Sequence, residues 1–173
     1  PIADRVNLII TSDHGMTEIS NERVVNAAQY INPKWCDLVD GTTPTSIFSR
    51  PEYRDSIYNA LKDVEHIHVW KKEDIPAELN YGSSDRIGDI VVAPELGWQV
   101  TYKTRTSKGA HGYVPQSPDM QVIFRAYGPD FKQGYTSKGF VNVDIYPLLA
   151  HLLGVKPEET DGQFNRVKDL FAE

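Results

Sequence analysis

The chain of 173 residues contains 18 Lys and Arg against 24 Asp and Glu, a formal net charge of -6, and 40% of it is hydrophobic. This composition is typical of a globular protein with one core, or one core and a small subdomain. The acidic balance argues against binding to a nucleic-acid polymer, and the single cysteine, Cys36, excludes an intramolecular disulfide. A small nucleotide substrate stays possible, because metal ions supply positive charge locally.

The N-terminus, Pro-Ile-Ala-Asp-Arg, has neither an initiator methionine nor the apolar stretch of a signal peptide. An apolar strand is predicted only a few residues later. We therefore expect the chain to be a fragment of a longer protein, whose localisation this N-terminus does not reveal. No segment has the about 18 consecutive apolar residues that a membrane-spanning helix requires.

The first predicted element is a strand over residues 6–10, an apolar run that contains three β-branched residues. Such a run is typical of a parallel strand that is buried on both faces. The sequence Thr-Ser-Asp-His-Gly follows at residues 11–15. Because ligands bind outside the carboxyl ends of strands in open α/β sheets, Asp13 and His14 lie where we expect chemistry.

The middle of the chain, residues 32–106, has the pattern of a small insertion with mixed strands. Apolar spacing predicts a helix over residues 51–62 and a short second helix over residues 73–79. Four strands are predicted, of which the last two form a hairpin, over residues 45–48, 66–70, 90–93 and 99–102.

A core-like pattern returns after residue 106. A strand is predicted over residues 121–127 and an apolar helix over residues 143–153, in which Pro147 predicts a kink or a late start. The predicted organisation therefore has three segments, namely the first part of an α/β core, an α/β insertion and the second part of the core, at residues 1–31, 32–106 and 107–173.

The first motif that could carry chemistry is the pair Asp13 and His14. A carboxylate beside an imidazole suits zinc, which takes oxygen and nitrogen ligands. Adjacent strand residues point to opposite faces, so both reach one ion only where the chain has left the strand, and Gly15 permits such a turn. The alternative is that Asp13 caps the following segment and His14 is an ordinary surface histidine.

The second motif is Gly-Ala-His-Gly-Tyr at residues 109–113. His111 is sterically open in a backbone that can be shaped around a ligand, and Tyr113 could form a wall of the pocket. The alternative is a loop histidine with turn glycines. Both motifs follow a break in a core-like pattern, so together they predict one metal centre.

The number of ligands matters for this prediction. Phosphoryl transfer at a two-metal site uses ions about 3.5–4 Å apart, each of which needs at least about three protein ligands. Asp13, His14 and His111 are the good candidates in this chain, and they supply only part of that set. The remaining ligands are expected upstream of Pro1.

These motifs resemble the nucleotide pyrophosphatase/phosphodiesterase family of the alkaline phosphatase superfamily. The similarity covers nearly the whole chain but corresponds only to the C-terminal half of the family. The segments that carry it are Thr-Ser-Asp-His-Gly-Met at residues 11–16, Gly-Ala-His-Gly-Tyr at 109–113, Phe-Arg-Ala-Tyr-Gly-Pro-Asp-Phe at 124–131, the closing helix at 142–154 and the middle region at 86–98.

The resemblance implies an α/β fold, with part of an alkaline-phosphatase-like core that has a parallel sheet and a small mixed α/β insertion. Asp13 and His14 match the aspartate and histidine that share one zinc ion, and His111 matches a histidine that helps to hold the second. The family's nucleophilic threonine and its other ligands belong to the missing half. No catalytic nucleophile is therefore assigned, and Ser12 and Thr17 are interpreted as hydroxyls that surround a metal ligand.

The implied activity is hydrolysis of phosphodiester or pyrophosphate bonds of nucleotides or related esters by a two-zinc parent enzyme. Its partners are the small-molecule substrate and the missing N-terminal half, without which the fragment is expected to be inactive. The alternatives are a phosphonoacetate hydrolase or phosphomonoesterase of the same superfamily, and a non-catalytic module. The resemblance favours a periplasmic or extracellular location.

Two departures from the family pattern indicate a bacterial-type member. Val-Pro-Gln-Ser-Pro follows Tyr113 where animal members often have Asp-Asn, and Asp161 precedes Gly162 where Asn-Gly is common. Both leave the substrate preference open.

Overall fold

The computed structural model describes residues 2–101 and 107–172. These residues form ten β-strands and two α-helices, which are joined by short 3-10 helices. In chain order the strands and α-helices are β1 (Leu8–Thr11), β2 (Thr17–Glu18), β3 (Val24–Asn26), β4 (Cys36–Gly41), β5 (Thr45–Ser49), α1 (Arg54–Leu61), β6 (Ile67–Lys71), β7 (Ile90–Pro94), β8 (Gln99–Thr101), β9 (Gly109–Ala110), β10 (Phe124–Tyr127) and α2 (Ile145–Leu152).

The chain divides into two compact units. Unit 1 comprises Pro1–Asp13 and Val122–Glu173, and unit 2 comprises His14–Gln121. The predicted boundary after residue 106 and the predicted strand residue Tyr102 lie outside the described residues. The three-segment organisation stays a prediction.

Unit 2 is built on a four-stranded antiparallel sheet in the order β4-β5-β7-β6. Helix α1 buries Ile57 and Leu61, which are four residues apart and therefore lie on one face. The central strands contribute Ile47, Ile90 and Val92 to the same core, at 0% exposure each. Each such side chain contributes about 1.5–3 kcal/mol through burial, so this sheet and helix form a closed core.

Most predicted elements of the middle region are confirmed. The strands over residues 45–48, 66–70 and 90–93 appear as β5, β6 and β7, and the helix over residues 51–62 appears as a 3-10 turn followed by α1. The predicted helix over residues 73–79 is wrong. Two 3-10 turns, Lys72–Asp74 and Ala77–Leu79, replace it, because Pro76 between them has no N–H to continue a helical ladder.

The predicted hairpin of β7 and β8 is also wrong. Strand β8 pairs in parallel with β3, whereas β7 pairs with β5 and β6. The side chain of Arg23, next to β3, donates to the carbonyl oxygens of Gly97 at 3.1 Å and Glu18 at 3.1 Å. These hydrogen bonds hold the turn that follows β7 close to β3, so β8 continues along β3.

Unit 1 contains a two-stranded antiparallel sheet of β1 and β10, with α2 and the C-terminal segment. Helix α2 begins late, as Pro147 predicted, because proline fits the first turn, where N–H groups have no intrahelical partner. One face of the sheet packs against a core around Phe131, Leu148 and Val167.

The prediction that the first strand is parallel and buried on both faces is wrong for the described residues. In β1 only Ile9 contacts the core, whereas Leu8 and Ile10 are 53% and 46% exposed. Strand β10 pairs antiparallel with β1, and Phe124 and Ala126 of β10 pack on the same core as Ile9. The other face carries Leu8, Ile10 and Tyr127, together with Arg125, which is opposite Ile10 in the register. We call it the open face of unit 1.

Candidate metal centre

Asp13 follows β1 in unit 1, and its backbone is held by the loop before α2. The side-chain amide of Asn142 donates to the carbonyl oxygen of Asp13 at 2.8 Å and to that of Ser12 at 3.5 Å. The Ser12 hydroxyl lies 3.5 Å from Oδ1 of Asp13. Sequence reasoning missed Asn142, for which the only signal was a polar residue just before an apolar helix.

His14 and His111 come together in unit 2, although they are far apart in the sequence. Their imidazole rings stack with centroids 3.5 Å apart and planes inclined by 14°. His14 is half-buried and His111 is exposed. The structure therefore brings together two of the three predicted site residues within one unit.

The short strands β2 and β9 produce this approach. They pair antiparallel, with Thr17 opposite Ala110, and the N–H of Ile19 extends the ladder to the carbonyl oxygen of Lys108 at 3.0 Å. His111 directly follows this ladder. The predicted flexible loop around His111 is thus, on its N-terminal side, a strand that was missed because two residues give no periodic signal.

Gly112 turns the chain away after His111. Its φ of +93° lies in the region that favours glycine, and a Cβ there would lie 2.0 Å from the carbonyl oxygen of Thr43. Tyr113 is then buried at 6% exposure, and its hydroxyl donates to the carbonyl oxygen of Trp98 at 2.8 Å. Tyr113 is thus a core anchor, and not the pocket wall that we predicted.

A hydrogen bond indicates the tautomer of His14. Nδ1 of the ring lies 2.9 Å from the carbonyl oxygen of Gly15. Because a carbonyl oxygen only accepts, Nδ1 carries the proton, and Nε2 is the nitrogen with a lone pair suited to a metal ion. An oriented neutral imidazole is the form in which histidine binds zinc.

The donor set has the right chemistry for zinc but is incomplete. Two imidazoles and one carboxylate are zinc ligands in type, whereas a structural or catalytic zinc site uses at least about three protein ligands for each ion. Within the described parts of the chain, no group of three or more His, Cys, Asp and Glu side chains is arranged to hold a metal ion.

A cleft of about 1210 Å³ opens in unit 1 beside β10. Thr11 and Asn142 line it, together with the basic residues Arg125, Lys132 and Lys138. Small-molecule pockets are usually about 300–1,000 Å³, so this cleft is somewhat larger than most of them. In the described parts of both units, no helix has the length and apolar character needed to cross a membrane.

Comparisons with known proteins agree with the fold and identify the family. The family model for type I phosphodiesterase/nucleotide pyrophosphatase matches residues 1–114. The chain belongs to this family, which is part of the alkaline phosphatase superfamily.

Among the relatives, bis(5'-adenosyl)-triphosphatase ENPP4 of Bos taurus is 38% identical over 172 residues, which cover 98% of this chain and 38% of the relative. Ectonucleotide pyrophosphatase/phosphodiesterase family member 5 of Homo sapiens is 36% identical over 168 residues, covering 95% and 35%. The chain thus spans less than half the length of these relatives.

The solved structures confirm the predicted α/β fold class with a partial core. Human ectonucleotide pyrophosphatase/phosphodiesterase 5 superposes with a TM-score of 0.93 at 34% identity, covering 99% of this chain and 47% of that one. An inactive variant of murine ectonucleotide pyrophosphatase/phosphodiesterase 5, in complex with AMP, superposes with a TM-score of 0.91 at 34% identity, covering 98% of this chain and 46% of that one. These relatives are animal proteins, so the expected bacterial origin finds no support in them.

Proposed function

We propose that this chain supplies part of the metal centre of a two-zinc hydrolase that cleaves phosphodiester or pyrophosphate bonds. The observation that carries the proposal is the stacked pair of His14 and His111, which comes from two separate motifs of a phosphodiesterase family. In this proposal Asp13 and His14 contribute to one zinc ion and His111 contributes to its neighbour.

Zinc at such a centre would lower the pKa of an attacking hydroxyl and neutralise charge on the phosphoryl oxygens. The residues of this chain would hold the ions and fix their spacing. His14, oriented through Nδ1 by the Gly15 carbonyl oxygen, would present Nε2. The nucleophilic threonine belongs to the part of the parent protein upstream of Pro1.

The names of the relatives support one substrate class. Their names describe a bis(5'-adenosyl)-triphosphatase and nucleotide pyrophosphatase/phosphodiesterases, and one solved relative contains AMP. We therefore propose a small nucleotide with a phosphodiester or pyrophosphate bond as the substrate and an extracellular location for the parent. A phosphonoacetate hydrolase or a phosphomonoesterase would use the same metal ligands and is distinguished by substrate tests.

The rest of the parent protein is the proposed partner of unit 1. Three of the four side chains on the open face, Leu8, Ile10 and Tyr127, are apolar or aromatic, whereas the water-facing side of a sheet is usually polar. A two-stranded sheet is also marginally stable by itself in water. A chain that spans less than half of its relatives leaves ample sequence to cover this face and to complete the ligand set.

The test compares this chain with its full-length parent on p-nitrophenyl thymidine monophosphate in zinc-containing buffer. We expect turnover by the parent, loss of turnover in its His111→Ala variant and little or no turnover by the 173-residue chain. As a matched control, His68→Ala removes an exposed histidine of β6 and should retain activity. Appreciable hydrolysis by the isolated chain, or full activity of the His111→Ala parent, would contradict the proposal.

A further inference from the structure

Asp119 makes a hydrogen bond to the strand that aligns the two histidines. The hydroxyl of Thr17 donates to its Oδ2 at 2.5 Å, and Thr17 is 7% exposed. A hydrogen bond to a carboxylate is about twice as strong as one between neutral groups. Since Thr17 is opposite Ala110 in the β2–β9 register, Asp119 holds the residue through which the His14 segment meets the His111 segment.

The backbone next to Asp119 supports the same segment. The N–H of Gly15 donates to the carbonyl oxygen of Met120 at 3.2 Å. A Cβ on Gly15 would lie 1.9 Å from the carbonyl oxygen of Asp119, so no side chain fits there. Gly15 is thus required for the close approach of the Asp119 backbone. Met120 itself packs against the small core that includes Tyr113.

These contacts hold Gly15, the residue that follows His14. Gly15 and Gly112 come directly after His14 and His111, and the segment from Ser117 to Gln121 connects the second motif back to the first. Three hydrogen bonds keep that segment compact, from the N–H of Ser117 to the carbonyl oxygen of Val114 at 3.0 Å, of Met120 to Ser117 at 2.9 Å and of Gln121 to Pro118 at 3.1 Å. The Asp119 carboxylate is therefore presented to Thr17 by an ordered backbone.

We propose that Asp119 is a positioning residue for the His14–His111 pair and acts through Thr17. Its carboxylate itself binds no zinc in this proposal. The proposal rests on the proposed role of the two histidines as zinc ligands. Its physical basis is that an imidazole binds a metal ion well only when its orientation is fixed, and residues that orient ligands strongly affect metal affinity.

The experiment measures the zinc affinity of the full-length parent by competition with a chelator, and the visible absorption spectrum of its cobalt-substituted form. Asp119→Ala and Thr17→Val should each weaken zinc binding by about 10- to 100-fold and alter the cobalt spectrum. Asp119→Asn and Thr17→Ser should restore most of the affinity, because an amide oxygen still accepts and a serine hydroxyl still donates. The double variant should be no weaker than either single variant, since both remove one interaction.

Asp37→Ala is the matched control, because it removes an exposed carboxylate of unit 2 that pairs with Arg50 at 3.2 Å. An Asp119→Ala parent that keeps zinc affinity within about twofold, or an equal loss in Asp37→Ala, would overturn the inference. Thr17→Val keeps the volume of the side chain and decides the question if Asp119→Ala does not fold. If His111→Ala also leaves zinc affinity unchanged, the proposed role of the two histidines as zinc ligands is contradicted. If His111→Ala weakens zinc binding but Asp119→Ala does not, only the positioning role of Asp119 is contradicted.

Discussion

The two units bury their apolar side chains to very different extents. Unit 2 closes its core, with Ile47, Ile57 and Ile90 at 0% exposure between a four-stranded sheet and α1. Unit 1 covers one face of a two-stranded sheet and leaves Leu8 and Ile10 about half exposed.

Helix α2 shows the same difference from α1. It buries Leu148 but exposes Tyr146, Leu149 and Leu153, which lie three and four residues apart on one face. Large contiguous apolar patches on a protein surface usually mark an interaction site. Unit 2 therefore has the closed core of a self-contained fold, whereas unit 1 leaves apolar side chains of β1 and α2 exposed.

The largest expected effect is in the core of unit 2. Ile57→Ala should lower the free energy of unfolding of the 173-residue chain by about 2–5 kcal/mol, because it removes buried methyl groups and leaves a cavity. Urea denaturation followed by tryptophan fluorescence measures this change. Leu38→Ala, at a side chain that is 53% exposed, should stay within about 0.5 kcal/mol. Equal effects at both positions would show that unit 2 has no closed core.

The second prediction concerns the stability of unit 1 and its buried carboxylate, Asp144. Asp144, at 0% exposure, accepts from Nε and one terminal nitrogen of Arg166 and from the N–H of Gln163. Asp144→Ala should cost about 2–3 kcal/mol, since it removes hydrogen bonds to a charged group, while the partly exposed Arg166 regains water.

Thermal unfolding monitored by circular dichroism measures that loss. Asp169→Ala removes an exposed carboxylate of the same C-terminal segment and should have almost no effect. A neutral Asp144→Ala variant would mean that the C-terminal segment is held to α2 by other contacts.

A substitution on the open face should change the free energy of unfolding by different amounts in the 173-residue chain and in the full-length parent. In the 173-residue chain, Leu8→Ala should change stability by less than about 0.5 kcal/mol, as exposed substitutions usually do. In the full-length parent the same substitution should cost about 2 kcal/mol or more, because the side chain is then buried. Parallel urea titrations of both proteins give the comparison, and an equal, small effect in both would show that nothing covers this face.

The smallest expected effect is the pH dependence of surface ion pairs in unit 2. The pKa of Asp55 is lowered by a hydrogen bond and by the charge of Lys71, whose nitrogen lies 2.6 Å away, and that of Glu73 is lowered by its hydrogen bond with Arg54. Because these folded-state pKa values lie below the unfolded ones, the stabilisation is present above the ordinary carboxyl pKa of about 4 and is lost as the pH falls through the folded values.

The double variant Asp55→Asn, Glu73→Gln should therefore lose less stability than the wild type as the pH falls from about 5 to about 2. Urea midpoints at several pH values measure the slope. Asp63→Asn with Glu65→Gln removes the same charge from neighbouring exposed positions and should keep the wild-type slope. Identical slopes in all three proteins would show that the ion pairs do not contribute.

The sequence was informative where a local pattern decides the structure. Apolar spacing located α1 and α2, and the alternation of β6 and the apolar run of β7 were recognisable. Strand pairing was not predictable in the same way, because β8 pairs with β3, more than 70 residues earlier in the chain, and the Arg23 side chain bonds the distant carbonyl oxygen of Gly97. The exposure of Leu8 was also missed. An apolar sequence predicts a strand, but it does not show which faces of that strand are covered by other residues of the same chain.

The sequence also predicted only part of the candidate site. The motifs identified Asp13, His14 and His111 as candidates, and the pairing of β2 with β9 brings the two histidines together. Asn142 and Asp119 were not singled out as site residues, because their contacts with Asp13 and Thr17 join residues more than 100 positions apart. Such contacts are visible only in the folded chain.

The most direct test of the central claim is the zinc content of the purified full-length parent, measured by plasma mass spectrometry. We expect two zinc ions per molecule, one fewer in His111→Ala, and the loss of the other ion in His14→Ala. His68→Ala should keep both ions. If His111→Ala and His14→Ala both retain the full zinc content, the chain does not supply ligands to two zinc sites, and the central claim is contradicted.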